Sequence, residues 1–477
     1  NVTNLKKYFY FMKNSLFIVY FIITSCSSDK GSESLINFSG NIRNTKEKIL
    51  KLTNYNSTLK QELEINDSGD FSGMVNIETD GYYSFQIGRS YTNVRFKKGS
   101  DVKLSLDADS FFTSIKYYGE LEKVNNYNVS KIKLRSKLVG DPKEYFVVPL
   151  NDFLKKIEKT RDSLFFLLDK TELTSKDKIL EKKIIKYEYL QSYNNYKKFY
   201  SYHKNEDPLL PGDYYEPIIN MDIDDDEIFK YSRPYRNLII ENYRLTSDLF
   251  LKDHPELGII DFVRVKIENI SSSDIKDQIS SMLIRQMNEK NQNIDDDYLK
   301  IKDILIADRL KDKLTMRYES SKSSKKGSTS VQFTYENFNG GTTSLASLKG
   351  KLLYIDVWAT WCGPCIKEMP FLKELVEEYR GKEIEFVSIS IDSKNDYDKW
   401  RKMVSEKDIG GIQLYNNDGL NSEFMKAFSV SIIPRFMMID PKGNIISGNA
   451  PRPSSEKVRQ YIDKYLTKPR LKRFSNS

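Results

Sequence analysis

The sequence predicts a multidomain protein with an N-terminal antiparallel β-sandwich-like domain, a central α-helical region and a C-terminal α/β domain. Three observations lead to this prediction. Apolar residues alternate with polar ones over residues 36–135, recur at helical spacing over 145–319, and form two strand-like runs around a helical stretch within 352–392. The length of 477 residues agrees with about three domains.

The composition limits the chemistry that the chain can perform. Its 75 basic and 67 acidic residues are interleaved and give a net charge of only +8, so we expect no nucleic-acid partner. Residues 468–477 form a basic tail. The two histidines and three cysteines argue against a histidine-based triad and exclude a four-cysteine zinc site. We therefore expect no metal and no bound cofactor, and chemistry must come from carboxylates, hydroxyls or the close pair Cys362 and Cys365.

Residues 12–25 have the pattern of a secretion signal. Lys13 precedes an apolar run of about eight residues, 16–23, which is too short to span a bilayer. Small residues then lead to Cys26. This resembles a bacterial lipoprotein signal, in which the cysteine at the cleavage site is lipidated; an uncleaved hydrophobic anchor is the alternative.

This prediction places the protein at a membrane. Residues 1–11 become an upstream extension, and the polar residues 26–35 a flexible tether. We expect the chain to be lipid-anchored in the envelope of a Gram-negative bacterium, facing the periplasm or the cell surface. The Ser/Asp-rich tether resembles the leaders of Bacteroidetes lipoproteins.

The first two predicted domains contain period-two strands followed by helices. Tyr83, Phe85 and Ile87 alternate with polar residues, and Lys97–Ser100 has the composition of a hairpin turn. The helical face of the central region is illustrated by a set of apolar residues at three- and four-residue spacing: Phe153, Leu154, Ile157, Leu164, Phe165 and Leu168.

Three other features of the central region have ordinary structural explanations. Tyrosines are dense over 187–202 and suit either a ligand platform or, more simply, helix–helix contacts. The acidic runs at 222–226 and 295–297 lack the glycine and the spaced glutamate of a calcium loop, and aspartate is common where helices begin. Residues 320–330 are polar and of low complexity, which predicts a linker.

The two close cysteines are predicted to lie where a strand meets a helix. Leu352–Trp358 has the composition of a buried parallel strand, and a helical stretch and a second buried strand follow. Cys362 then lies at a helix N-terminus, where free N–H groups and the helix dipole favour a thiolate. Cys365 is one turn later and within disulfide reach. We expect Cys362 to attack a substrate disulfide and Cys365 to resolve the mixed disulfide.

The motif WATWCGPC resembles the thioredoxin active site, and residues 331–467 resemble a TlpA/ResA-like thiol–disulfide oxidoreductase domain. The resemblance implies a thioredoxin fold. It also implies that Asp356 accepts the proton of Cys365 and that Glu368 tunes the thiols. In this family a tryptophan precedes the attacking cysteine, as Trp361 does here.

The resemblance implies a substrate-binding surface around the cysteines. Trp361, Gly363 and Pro364 would belong to it, and Pro364 also suits the first helical turn. The segment that contains Ile433 and Pro434 resembles the cis-proline loop of the family. There Pro434 would face the cysteines as part of the substrate-binding surface, and the Ile433 backbone would offer hydrogen bonds to an extended substrate.

These observations predict an envelope thiol–disulfide oxidoreductase, working as a reductase through a redox-active Cys362–Cys365 disulfide. Its expected partners are protein or peptide disulfides and a membrane thiol that donates electrons. Cytochrome c maturation is a frequent task of the family, although nothing in the sequence singles out an apocytochrome. A binding lipoprotein with a secondary redox domain is the main alternative, and a peroxidase is a weaker one.

Overall fold

The computed structural model describes residues 34–55, 59–288 and 291–466. The predicted signal sequence, Cys26 and the basic tail therefore lie outside the described residues. Within them, no helix combines the length and the apolar character needed to cross a membrane. These described residues divide into two compact units. The first contains those up to Lys186, Phe199–Glu206 and Lys230–Ser232, and the second contains Tyr187–Lys198, Asp207–Phe229 and those from Arg233 onward.

The first unit contains two four-stranded sheets, ordered β4-β1-β7-β8 and β3-β2-β5-β6. Their strands are β1 (Leu35–Arg43), β2 (Ile49–Thr53), β3 (Lys60–Glu64), β4 (Asp70–Asn76), β5 (Gly81–Ile87), β6 (Ser90–Phe96), β7 (Asp101–Asp107) and β8 (Lys116–Gly119). The alternating apolar residues of both sheets share one core, in which the Phe38 ring contacts Phe71, Phe85 and Phe96.

The sandwich differs from the prediction in the direction of one strand pair. β1 runs antiparallel to β4 but parallel to β7, with Phe38 opposite Val102. The sandwich is therefore mixed rather than purely antiparallel. Alternation of apolar residues shows which face of a strand is buried, but it does not show the direction of the neighbouring strand.

The predicted β-rich boundary at residue 135 is also wrong, because a helix begins at Glu122. Helix α1 (Phe111–Ser114) lies between β7 and β8, and the helices that follow the strands are α2 (Glu122–Val139), α3 (Pro142–Phe146), α4 (Leu150–Asp169) and α5 (Ser175–Lys204). The buried face of α2 includes Asn125, Asn128 and Lys131 beside Val124 and Tyr127, so its apolar periodicity is interrupted. The predicted helical region thus starts earlier than residue 145.

The remaining helices of the central region are α6 (Glu216–Ile219), α7 (Asp226–Tyr231), α8 (Arg233–Asp253), α9 (Ile259–Glu268), α10 (Ser273–Ser281), α11 (Ile294–Ile304) and α12 (Asp308–Ser323). The predicted linker at 320–330 is wrong. Its first residues complete α12. Further on, the Ser328 carbonyl accepts a hydrogen bond from the backbone N–H of Ile445, and the Ser330 N–H donates one to the Gly443 carbonyl. The hydroxyls of Ser323 and Ser324 donate to the carbonyl of Ser320, and those of Ser320 and Ser321 bond to residues outside the segment, so the polar side chains of this sequence have partners.

The C-terminal domain has a seven-stranded sheet of order β10-β9-β13-β12-β11-β14-β15. Its elements are β9 (Thr334–Asn337), β10 (Thr342–Ser344), β11 (Leu352–Trp358), α13 (Gly363–Glu378), β12 (Ile384–Ser390), α14 (Tyr397–Lys407), β13 (Ile412–Tyr415), α15 (Glu423–Ala427), β14 (Arg435–Ile439), β15 (Ile445–Ser447) and α16 (Val458–Tyr465). β11 lies parallel to β12 and antiparallel to β14, and all its residues are buried. The predicted strand–helix–strand unit around the cysteines is confirmed, and this topology is that of a thioredoxin fold.

Candidate active site

Cys362 and Cys365 form a disulfide at the start of α13. Cys362 is the N-cap residue, and its sulfur accepts a hydrogen bond of 3.2 Å from the backbone N–H of Cys365. Both side chains are buried. The first turn of a helix offers unpaired N–H groups and the positive end of the dipole, so the reduced site stabilises negative charge on the Cys362 sulfur.

The residues beside Cys362 leave one side of the site open. Gly363 and Pro364 are exposed, and the Trp361 side chain is 63% exposed. Pro364 lies in the first turn of α13, where its missing N–H removes no helical hydrogen bond. The indole of Trp361 thus places an exposed apolar group beside the buried sulfur of Cys362.

A buried carboxylate holds the turn that precedes the cysteines. Asp392 accepts hydrogen bonds from the backbone N–H and the hydroxyl of Thr360, and a third from the Ser390 hydroxyl. These bonds join the end of β12 to the turn between β11 and α13. Sequence reasoning missed Asp392, although an acidic residue directly after an apolar strand was a visible signal.

Asp356 is a buried acid in the middle of the sheet. It lies on β11, with Ser388 and Phe436 opposite it on the neighbouring strands. One carboxylate oxygen, Oδ1, has no hydrogen-bond partner. Burial raises the pKa of Asp356 to about 7, while a hydrogen bond with the Ser388 side chain opposes the rise. A carboxyl group in this state exchanges a proton readily near neutral pH.

Glu368 is buried on α13, and both of its carboxylate oxygens have partners. They accept hydrogen bonds from the backbone N–H and the hydroxyl of Ser454, at 3.0 and 2.9 Å. The Arg452 guanidinium lies 3.8 Å away. The structure thus ties Glu368 to the segment before α16, a contact that helical spacing alone does not reveal.

Tyr354 connects the surroundings of the two acids. Its hydroxyl donates a 2.6 Å hydrogen bond to the carbonyl of Pro451. Burial raises the pKa of Tyr354 well above its usual value, and the negative charges of Asp356 and Glu368 raise it further. Tyr354 therefore remains a neutral donor beside both carboxylates, a position that sequence reasoning did not identify.

The peptide bond between Ile433 and Pro434 is cis. Residues 429–434, here called the Pro434 loop, lead into β14, and Arg435 is paired with Val357 near the end of β11. This register places Pro434 at the end of the sheet where β11 stops and the chain continues to Cys362. Ile432 in the loop is 79% exposed. The structure thus brings the loop and the cysteine pair to one end of the sheet.

Two aspartates of the acidic run at 222–226 accept hydrogen bonds from nearby serines. Asp224 accepts hydrogen bonds from the backbone of Ser271 and Ser272, and Asp226 accepts one from the Ser272 hydroxyl. Across the residues that the structure describes, no group of three or more His, Cys, Asp or Glu side chains is arranged to hold a metal ion.

Comparison with known proteins places the C-terminal domain in a family. Residues 325–462 match the Redoxin family model. The chain is 28% identical over 138 residues to "Thiol-disulfide oxidoreductase ResA" of Bacillus thuringiensis, a match that covers 29% of this chain and 77% of the relative. It is 25% identical over 160 residues to the protein of the same name from Bacillus subtilis, covering 32% and 81%.

A crystal structure from Bacteroides vulgatus, described as a thiol–disulfide oxidoreductase, is 34% identical. It covers 30% of this chain and 99% of its own, with a TM-score of 0.28. From the family match and the relatives, residues 325–462 form a Redoxin domain, and the protein is a thiol–disulfide oxidoreductase related to ResA.

Proposed function

We propose that this protein is a lipid-anchored thiol–disulfide oxidoreductase of the bacterial cell envelope that reduces disulfides in other proteins. The observation that carries the proposal is the Cys362–Cys365 disulfide at the N-terminus of α13, beside the exposed Trp361. The relatives named as thiol–disulfide oxidoreductases support the chemistry. The direction, the anchor and the roles of individual residues are our inference.

The reaction begins with the reduced pair. The Cys362 thiolate attacks one sulfur of the substrate disulfide, and the other substrate sulfur leaves as a thiolate. Cys365 then attacks the sulfur of Cys362, which releases the second substrate thiolate and forms the Cys362–Cys365 disulfide. Two electrons pass to the substrate. A membrane thiol relay returns two electrons to the disulfide and completes the cycle.

Asp356 takes the proton that Cys365 must lose. Burial holds its pKa at about 7, so near neutral pH a large fraction of the carboxylate is free to accept a proton. Glu368 and Tyr354 belong to the surroundings of this step, because the negative charges of Asp356 and Glu368 both raise the pKa of the buried Tyr354. Trp361, Gly363, Pro364 and the Ile433 backbone form the surface that receives the substrate.

The anchor is assigned to Cys26. Lipidation there would keep the redox domain outside the cytoplasm, where protein disulfides form and persist. A membrane thiol donor fits this location, because no cytosolic reductant has direct access to it.

The first test is reduction of a protein disulfide, with insulin as the probe. We expect the reduced full chain to cleave it, Cys362→Ser to lose the activity, and Cys365→Ser to accumulate a mixed disulfide with the substrate. The reduction potential should lie near the thioredoxin value of about −270 mV rather than the oxidant value of about −120 mV.

The third cysteine provides a matched control. Purified Cys26→Ser should reduce insulin at the rate of the unsubstituted protein, but in a Gram-negative host it should no longer sediment with membranes. Full insulin reduction by Cys362→Ser would refute the proposed chemistry. Membrane sedimentation of Cys26→Ser would refute the lipid anchor.

A further inference from the structure

The C-terminal end of α12 contacts the helix that leads into the Pro434 loop, and both belong to the second compact unit. Ser320 on α12 is buried, and its hydroxyl lies 2.8 Å from the carbonyl oxygen of Ala427 and 3.1 Å from that of Lys426. The same hydroxyl oxygen is hydrogen-bonded to the hydroxyl of Ser429. The carbonyls of Lys426 and Ala427 are among the last of α15, and the last carbonyls of a helix have no partner inside their own helix.

Ser429 ends α15 in a conformation that serine rarely adopts. Its φ is +47°, in the left-handed region where glycine is usual. The N–H of Ser429 bonds to the Lys426 carbonyl and the N–H of Val430 to the Met425 carbonyl, which is the Schellman pattern. Glycine would adopt this turn with less strain, but it would lack the hydroxyl that meets Ser320.

The strained serine lies at the base of the Pro434 loop. Val430 is buried, the exposed Ile432 comes two residues later, and the cis peptide bond between Ile433 and Pro434 completes the loop. The loop begins at the residue that Ser320 holds and ends at the edge of the active site. Strained residues of this kind persist where the surrounding structure holds them, and they are frequent at functional sites. We therefore take the conformation of Ser429 as a sign that the start of the Pro434 loop is held in place.

We propose that Ser320 is a positioning residue for the Pro434 loop. Through its hydrogen bonds to Ser429 and to the end of α15, the last helix of the central region fixes the loop that receives a polypeptide disulfide. This inference rests on the proposed function. It assigns to the central helical region a part in substrate recognition by the redox domain.

The chain offers a matched control for Ser320 in the next residue of α12. Ser321 is buried to the same degree, 6% exposed against 7% for Ser320. Its hydroxyl, however, bonds to the carbonyls of Met287 and Arg317 within the helical region. Loss of either hydroxyl removes a buried serine hydrogen bond from the same helix, but only loss of Ser320 releases the loop.

The experiment compares Ser320→Ala, Ser429→Gly and Ser321→Ala in the full chain. Steady-state reduction of insulin and of a small aromatic disulfide is measured with dithiothreitol as the electron donor that regenerates the reduced proteins. The reduction potential and the hydrogen exchange of residues 429–434 are measured as well. We expect Ser320→Ala and Ser429→Gly to raise KM for insulin about three- to tenfold, corresponding to one lost hydrogen bond, with kcat nearly unchanged. Exchange in the loop should accelerate, while the potential and the reaction with the small disulfide stay unchanged.

Ser321→Ala should lower thermal stability as much as Ser320→Ala does, without changing KM or exchange in the loop. Equal KM values for Ser320→Ala and Ser321→Ala would overturn the positioning role, and so would unchanged loop exchange in Ser320→Ala. If the unsubstituted protein reduced neither disulfide, the proposed function itself would fail, which is a distinct result because it does not involve the variants.

Discussion

Two buried carboxylates, one in each compact unit, have very different surroundings. Glu181 in the first unit has a side chain that is 0% exposed, and it bonds to the Lys131 ammonium at 2.8 Å and to the Tyr82 hydroxyl at 2.9 Å. Asp356 in the second unit is also buried, but its Oδ1 has no hydrogen-bond partner, and burial raises its pKa to about 7.

The difference in hydrogen bonding distinguishes a carboxylate that stabilises the fold from one that can take part in proton transfer. We call the first kind a structural charge. A buried ion pair with complete hydrogen bonding fixes the geometry of the elements it joins, here α2 and α5. A buried acid without a cationic partner is held close to the point where it gains or loses a proton. This contrast agrees with a redox role for the second unit and with a purely architectural role for the Glu181 site.

The largest expected effect comes from breaking the paired carboxylate. Lys131→Met removes the cation and leaves the buried Glu181 with the Tyr82 hydroxyl but without the Lys131 ammonium, which we expect to destabilise the first unit by roughly 3–5 kcal/mol. Urea denaturation followed by far-ultraviolet circular dichroism measures the loss.

The exposed pair of Lys123 and Glu172 provides the control, since its side chains are 68% and 84% exposed. Lys123→Met should change the urea midpoint very little, because solvent screens such pairs. If Lys131→Met were as stable as Lys123→Met, the Glu181 site would not be the fixed structural charge described above.

The next effect concerns the unpaired carboxylate. The pKa of Asp356 rises from 3.8 to about 7 on folding, so between these values the folded protein holds a proton that the unfolded chain releases. Stability should therefore fall as pH rises from about 4 to about 7, by up to about 4 kcal/mol, and then level off. Asp356→Asn should remove this fall and be the more stable protein at pH 8. Urea denaturation at several pH values, followed by tryptophan fluorescence, measures the stability of both proteins as a function of pH.

Tryptophan fluorescence is selective here because Trp358, Trp361 and Trp400 all lie in the C-terminal domain. Asp408→Asn changes an acid whose side chain is 84% exposed in its ion pair with Lys373, and it should follow the unsubstituted protein at every pH. If stability changed with pH in the same way for Asp356→Asn and the unsubstituted chain, the pKa of Asp356 would not be raised toward neutrality.

Local sequence was sufficient to predict the local structure at the centre of the candidate site. The strand Leu352–Trp358 is apolar throughout, the cysteines follow it directly, and the helix begins within the same short segment. Each of these features depends on neighbouring residues. Sequence alone therefore predicted the strand, the helix N-terminus and the position of both sulfurs.

Contacts between distant residues could not be predicted in this way. Ser454 bonds to Glu368 across 86 residues of sequence, and Ser320 bonds to Ala427 across 107. The helix α2 was missed because polar residues on its buried face, such as Lys131, find partners far along the chain. The roles of Asp356, Glu368 and Pro434 in the reaction stay predictions.

The smallest effect tests a third buried carboxylate, Asp392, which lies in the same unit as Asp356 but has partners for both oxygens. Thr360→Val removes the hydroxyl that donates to Asp392 at 2.8 Å. A hydrogen bond to a charged group contributes about 1.5–3 kcal/mol to stability. The backbone N–H of Thr360 still donates to Asp392 in this variant, so we expect the free energy of unfolding to fall by an amount near the lower value. The tryptophan-detected urea midpoint measures this loss.

Thr329→Val is the matched control, because Thr329 is exposed and its hydroxyl makes only a 3.4 Å contact with Asn444. Its effect should stay within about 0.5 kcal/mol. Thr360→Val should also slow insulin reduction, since the Thr360 turn leads directly to Trp361 and Cys362. If stability fell while insulin reduction stayed unchanged, Asp392 would act like Glu181, as a structural charge only.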